Sequence, residues 1–136
     1  MPTPESDVLA ANEAFYDAFA ARDIPAMEAI WSGRKDIACV HPGWDAIVGR
    51  SEVLSSWRAI LSSPEAPNVL CAGAIAHVLG DVAYVLCNEI LQNAELCATN
   101  LFVREEGAWK LVHHHAGPIA SRTDDLSAKA PPKVLN

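Results

Sequence analysis

The chain has 136 residues, enough for one domain that buries roughly two-thirds of the surface its unfolded form exposes. Apolar residues make up 51% and charged residues 20%, a globular composition, and no apolar run approaches the ~20 residues a membrane helix needs. The net charge is −7, with Lys and Arg scattered singly, which argues against nucleic acid and against an anionic membrane surface as partners. The opening MPTPESD has neither the basic start nor the apolar core of a signal peptide, so the expected location is cytoplasmic.

Taken in chain order, SDVLAANEAFYDAFAARD predicts a first helix capped by Ser6 or Asp7. Val8, Ala11, Phe15, Ala18 and Phe19 fall on one face, with Leu9 and Tyr16 on its flank. Asp23 caps a short second helix, DIPAMEAIW, with Pro25 in its first turn. DIACVHPGW reads as a short strand stopped by Pro42 and Gly43. GRSEVLSSWRAIL is a third helix, with Ser51 as its cap and Val53, Leu54, Trp57, Ile60 and Leu61 as its apolar stripe.

After Pro67 the pattern changes to strands: VLCAGAIAHVL, VAYVLCNEIL, ELCATNLFVRE and AWKLVHHHA. Gly80-Asp81, Gln92-Asn93 and Glu106-Gly107 lie between them as hairpin turns, so neighbours pair antiparallel. Residues 1–120 form one domain, and the polar, Pro-rich residues 121–136 a flexible tail. Cys39, Cys71, Cys87 and Cys97 form no CxxC pair, and each sits in an apolar stretch, so they read as reduced core thiols. Three helices followed by a meander predict an α+β domain, with the helices packed on one face of a strongly curved antiparallel sheet. The mouth of that cone is the natural small-molecule pocket.

The opening AFYDAFAARDIPAMEAIW, the CVHPGW turn, the GRSEVLSSWRAIL helix and the closing EEGAWKLVHHHAGP together resemble the NTF2-like superfamily, and within it small SnoaL-like proteins. The resemblance spans residues 6–120 and implies a cone fold with a conical pocket, commonly a homodimer built through the open face of the sheet. It does not settle activity, because the fold hosts many unrelated functions. Against the ketosteroid isomerase branch, the proton-shuttle aspartate falls on His41 and the two oxyanion-donor positions fall on Phe15 and Thr99, so all three depart from that branch. Tyr16 is one residue from Phe15, about 100° further around the helix. The run His113-His114-His115 also resembles the closing strand of the iota-class carbonic anhydrases, but Ala116-Gly117 replaces their two serines. The calmodulin-dependent kinase association domain shares the same closing pattern, and it is an assembly module.

Simple strand alternation places Trp109, Leu111, His113 and His115 on the inner face and His114 outside. A one-residue bulge would exchange His113 and His114. His113 and His115, with His41 as a distant third, have the spacing of a zinc site. A second possibility is acid–base catalysis, since histidine titrates near neutral pH: His41, at the shuttle position of the resembled family, is the best candidate for the base, with His113 to orient it or to protonate a substrate oxygen. A third possibility is that the histidines only bond one another at the edge of the core. Of Asn88 and Glu89, mid-strand among apolar residues, one must face inward, and an inward Glu89 would have a raised pKa.

These observations converge on binding of a small organic molecule, with cofactor-free proton transfer of isomerase, dehydratase or hydrolase type as the chemistry the site would support. The expected catalytic residues are His41, His113 and His115, and the expected substrate contacts are Tyr16, Trp44, Trp57 and Asn100. No metal is expected, because the resembled family is mostly metal-free, and no nucleotide cofactor, because there is no Gly-rich phosphate loop. Two alternatives stand: a non-catalytic binding or oligomerisation domain, and metal-assisted or carbonic-anhydrase-like hydration. Whether the chain is an enzyme is left open.

Overall fold

The computed structural model describes residues 2–120. Three helices come first: α1 (Pro4–Ala21), α2 (Ile24–Ile30) and, after the short strands β1 (Ala38–Val40) and β2 (Ile47–Val48), α3 (Arg50–Ser62). Four long strands follow: β3 (Leu70–Leu79), β4 (Val82–Ile90), β5 (Glu95–Glu105) and β6 (Ala108–Pro118). The expected tail, residues 121–136, lies outside the described residues.

The helix starts show where local chemistry sets the boundaries. α1 is capped three residues before Ser6, the nearer of the two predicted caps, because Pro4 is already suited to the first turn. Thr3 is the cap: its hydroxyl accepts from the Ser6 backbone, and its own N–H donates to the Ser6 hydroxyl at 2.9 Å. Asp23 caps α2 as predicted, accepting from the Ala26 N–H at 3.1 Å. α3 is capped by Gly49, not Ser51; its φ of 101° favours glycine and turns the chain into the helix at Arg50.

The strands form one six-stranded sheet in the order β2-β1-β6-β5-β4-β3. The three long hairpins pair antiparallel. The first and last turn through residues of positive φ, at Gly80 and at Glu106-Gly107. The sheet is nevertheless mixed, because β1 runs parallel to β6 with Cys39 opposite His114. The direction is set earlier: Trp31 already bridges Leu111 in parallel, and Ser32 N–H donates to Leu111 O at 2.8 Å.

Two bulges bend this sheet. In β3 the register shifts between Ala72 and Ile75, where Gly73 sits at φ 67°. In β6 Leu111 pairs with Phe102 but His113 pairs with Leu101, so Val112 is the extra residue. The sheet curls around α1 and α3, giving the α+β cone fold. Its core is aromatic where the helices meet: Phe15, Phe19 and Trp57 pack edge to face at 5.2–6.3 Å.

Candidate functional site

A cavity of about 310 Å³ opens inside the cone, walled by Phe19, Trp44, Trp57, Leu91 and Leu96. Three ionisable side chains reach it through this apolar lining: His41, Glu89 and His114. They arrive from three strand-associated positions. His41 directly follows β1, Glu89 is on β4 and His114 is on β6.

His41 is buried, packed edge-on between Trp44 at 4.9 Å and Trp57 at 4.8 Å. Its Nε2 is 2.9 Å from the Ser56 hydroxyl, which itself donates to Val53 O at 2.7 Å. Since that hydroxyl proton is committed, Ser56 accepts, Nε2 carries the imidazole proton, and Nδ1 keeps its lone pair. Burial lowers the His41 pKa to about 4, so the ring is neutral at physiological pH.

Glu89 is the inward member of the Asn88-Glu89 pair. Burial raises its pKa, against the pull of the Tyr16 phenol, which donates to Oε2 at 2.6 Å. Burial also drives the Tyr16 pKa up, so the phenol stays protonated. Behind it Asn100 Nδ2 donates to the Tyr16 oxygen at 3.2 Å and to Asn12 Oδ1 at 2.8 Å. The remaining Asn100 oxygen then accepts from His114 Nδ1–H at 2.5 Å. This bond fixes the His114 tautomer and turns its bare Nε2 toward Glu89 Oε2, 3.8 Å away. Burial drops the His114 pKa to about 3. One connected network, Asn12–Asn100–Tyr16–Glu89 with His114 closing it, therefore holds a single carboxyl against the cavity.

The β6 bulge reverses the expected histidine orientations. Val112 takes the extra place, and from there His114 and Ala116 point inward. His113 and His115 stand on the outer face instead, and His113 Nδ1 donates to Ala38 O at 3.0 Å. Neither lines the cavity. His41 lies on the inner side with Cys39, so the three cannot converge on one ion. No cluster of three or more metal-binding side chains occurs among the described residues. Trp44 and Trp57 line the cavity, whereas Tyr16 and Asn100 sit behind Glu89 with their polar atoms engaged. The Trp57 indole N–H is buried and meets no oxygen or nitrogen acceptor among the described residues; only the Cys39 sulfur lies near it. Asn12 and Ser56 went unread as site residues. Asn12 had a signal, since it stands four residues from both Val8 and Tyr16 on the helix.

The profile of the SnoaL-like domain matches residues 8–121. The chain belongs to this SnoaL-like family. Among solved structures, a candidate dehydratase of the NTF2-like family from Streptomyces avermitilis is 33% identical, with a TM-score of 0.76 over 85% of this chain and 95% of that one. A candidate calcium/calmodulin-dependent protein kinase type II association domain from Thiobacillus denitrificans is 30% identical, also with a TM-score of 0.76, over 88% and 98%. The F-box protein SKIP8 of Arabidopsis thaliana is 24% identical over 111 residues, 80% of this chain. The chain spans about half of that relative's length, 48%. The family and fold support a small-molecule-binding domain, and no helix among the described residues is long and apolar enough to cross a membrane.

Proposed function

We propose that this SnoaL-like domain binds a small, largely apolar organic molecule in the cone and moves a proton on it without a cofactor, by elimination of water or by isomerisation. One observation carries the reading. His41 and Glu89 open on the same apolar cavity, and both are held toward their neutral forms, one as a base and the other as an acid. In an elimination, His41 Nδ1 takes the proton beside a carbonyl, and Glu89 gives its proton to the departing hydroxyl. Tyr16, tied to Asn100, then stabilises the carboxylate left behind. His113 and His115 have no part in this scheme.

The similarity to a candidate dehydratase agrees with this chemistry but does not carry it. The test is a panel of β-hydroxy ketones and β-hydroxy esters, followed by mass for loss of one water. The wild type should turn over at least one of them, and Glu89→Gln and His41→Ala should each lower kcat/KM by about 100-fold or more. A ligand retained unaltered, with no turnover in the wild type, would assign the cone to binding alone.

A second reading concerns the outer face and is independent of catalysis. The chain pairs with a second copy through that face, where Ile75, Leu79, Val82 and Leu86 are exposed side by side on β3 and β4. The similarity to a candidate association domain is consistent with it.

A further inference from the structure

The two histidines left out of the scheme above form a pair of their own. Val112 takes the extra place in β6, and beyond it His113 and His115 stand side by side on the outer face. Their ring centroids are 6.2 Å apart, with the planes nearly perpendicular at 87°. The backbone beneath them is held on both sides. His113 lies between Leu101 of β5 and Ala38 of β1, and His115 between Thr99 and Val40. The pair therefore sits on a strand bonded to both neighbours, which fixes its spacing far better than a loop would.

The ring nitrogens are prepared as ligands. His113 Nδ1–H donates to Ala38 O at 3.0 Å, which fixes the tautomer and leaves the Nε2 lone pair available. A backbone carbonyl on the far nitrogen is the usual support of a metal-bound imidazole. His115 is exposed, so its ring can turn to present a lone pair beside it. The cations that would repel an ion are engaged elsewhere. Arg34, which borders the same groove as His113, is held by both carboxylate oxygens of Asp36, at 2.8 and 2.9 Å. Lys110, three residues before His113, donates to Ala29 O on α2 at 2.9 Å. The net charge of −7 also favours a cation over an anion.

We propose that His113 and His115 chelate one divalent ion of the class that prefers imidazole: zinc, nickel or copper. With metal–nitrogen bonds of about 2.0–2.1 Å and a tetrahedral angle, two ligating rings have centroids about 5 Å apart. The 6.2 Å separation closes to that by a turn of the exposed His115 ring, while His113 keeps its bond to Ala38. The remaining coordination positions are open to solvent. The zinc set read from the sequence needed His41 as a third ligand, and His41 lines the cone; the outer pair stands without it. His77 is also on the outer face, but it is stacked on Tyr84 at 4.8 Å with no second imidazole beside it. The competing soft ligand is the exposed Cys97; with Cys71 half-buried, the expectation of four core thiols holds for Cys39 and Cys87 only. β5 lies between the pair and the apolar patch of β3 and β4, so the site does not depend on a second copy.

The test titrates the full, untagged chain, stripped with EDTA, with nickel chloride and follows the heat. The expected result is one ion per chain, with no saturable heat from magnesium chloride, because magnesium takes oxygen ligands. His115→Ala and His113→Ala should each weaken nickel binding by about tenfold or more, and His77→Ala and Cys97→Ser should leave it unchanged. In the wild type, bound nickel should shield His113 and His115, but not His77, from diethyl pyrocarbonate, as mapped by peptide mass. No saturable nickel uptake, uptake that survives His115→Ala, or uptake lost in His77→Ala or Cys97→Ser would overturn the proposal. Because His115 is exposed and the shielding is read in the wild type, a variant that fails to fold does not protect it.

Discussion

The two faces of the same sheet invert the usual distribution of polarity. On the inner face, Glu89, Asn100 and His114 are at most 3% exposed, while on the outer face Leu79 is 64% and Leu86 41% exposed. The buried polar groups are tolerable because nearly every one is bonded to another, and the chain of bonds leads to a single carboxyl at the cavity. The exposed apolar groups gain nothing from the fold itself. The inner face therefore accounts for stability and site chemistry together, while the outer face contributes little to either and is the surface proposed above to meet a second copy.

The adjacent histidines of β6 give the sharpest way to break that contrast. His114→Ala empties a fully packed position between Phe15 and Trp57 and leaves the Asn100 oxygen without its donor. The expected cost is about 3 kcal/mol in urea denaturation. His115→Ala, one residue on but exposed, should stay within about 0.5 kcal/mol. Equal losses would mean that the bulge at Val112 is not where the register places it.

Acid titration is a smaller effect of the same inner face. His41 and His114 have folded pKa values of about 4 and about 3, against an ordinary value of 6.5. Below pH 6.5 the unfolded chain binds protons that the folded chain refuses, so stability falls as pH falls toward those values. Glu89 works in the opposite sense: its raised pKa lets the folded chain keep a proton that the unfolded chain has lost, so its contribution declines as pH rises from the usual carboxylate range. Between pH 6.5 and 5 the two histidines outweigh the one carboxyl, and a net loss on the order of 1–2 kcal/mol is expected. Glu89→Gln removes the opposing contribution and should steepen the decline. A flat profile in the wild type, unchanged in that variant, would show that these groups are not buried as described.

The architecture was legible because helical spacing, Pro67 and the turn pairs at Gly80-Asp81 and Glu106-Gly107 each act locally. His41, Trp44 and Trp57 were legible as candidate pocket groups for a similar reason: they flank a Pro-Gly turn and fall on one helical stripe. What could not be read was the face of His113, His114 and His115. That depends on one extra residue, Val112, whose side chain is ordinary for a strand; the bulge follows from β6 serving the Trp31 segment with one half and β1 with the other. The same long-range pairing made β1 parallel. The network around Glu89 was half legible. Alternation required either Asn88 or Glu89 to face inward, but the partners Tyr16, Asn12 and Asn100 come from 73 to 88 residues apart along the chain, and only the folded sheet brings them together.

The mildest substitution in stability carries the most information about the outer face. Leu86 stands on β4 with its side chain in solvent, so Leu86→Asp removes no core contact and should cost at most about 1 kcal/mol, the range of strand propensity. If a second copy covers this face, the new charge lies among Ile75, Leu79 and Val82 with no partner, and pairing is lost. Sedimentation should then show a dimer in the wild type and a monomer in the variant, while the denaturation midpoint of the isolated fold barely moves. A wild-type monomer, or a variant still dimeric, would leave the outer face without the second copy proposed for it. The first outcome would leave the inner-face chemistry untouched, since no group at the cavity comes from that side.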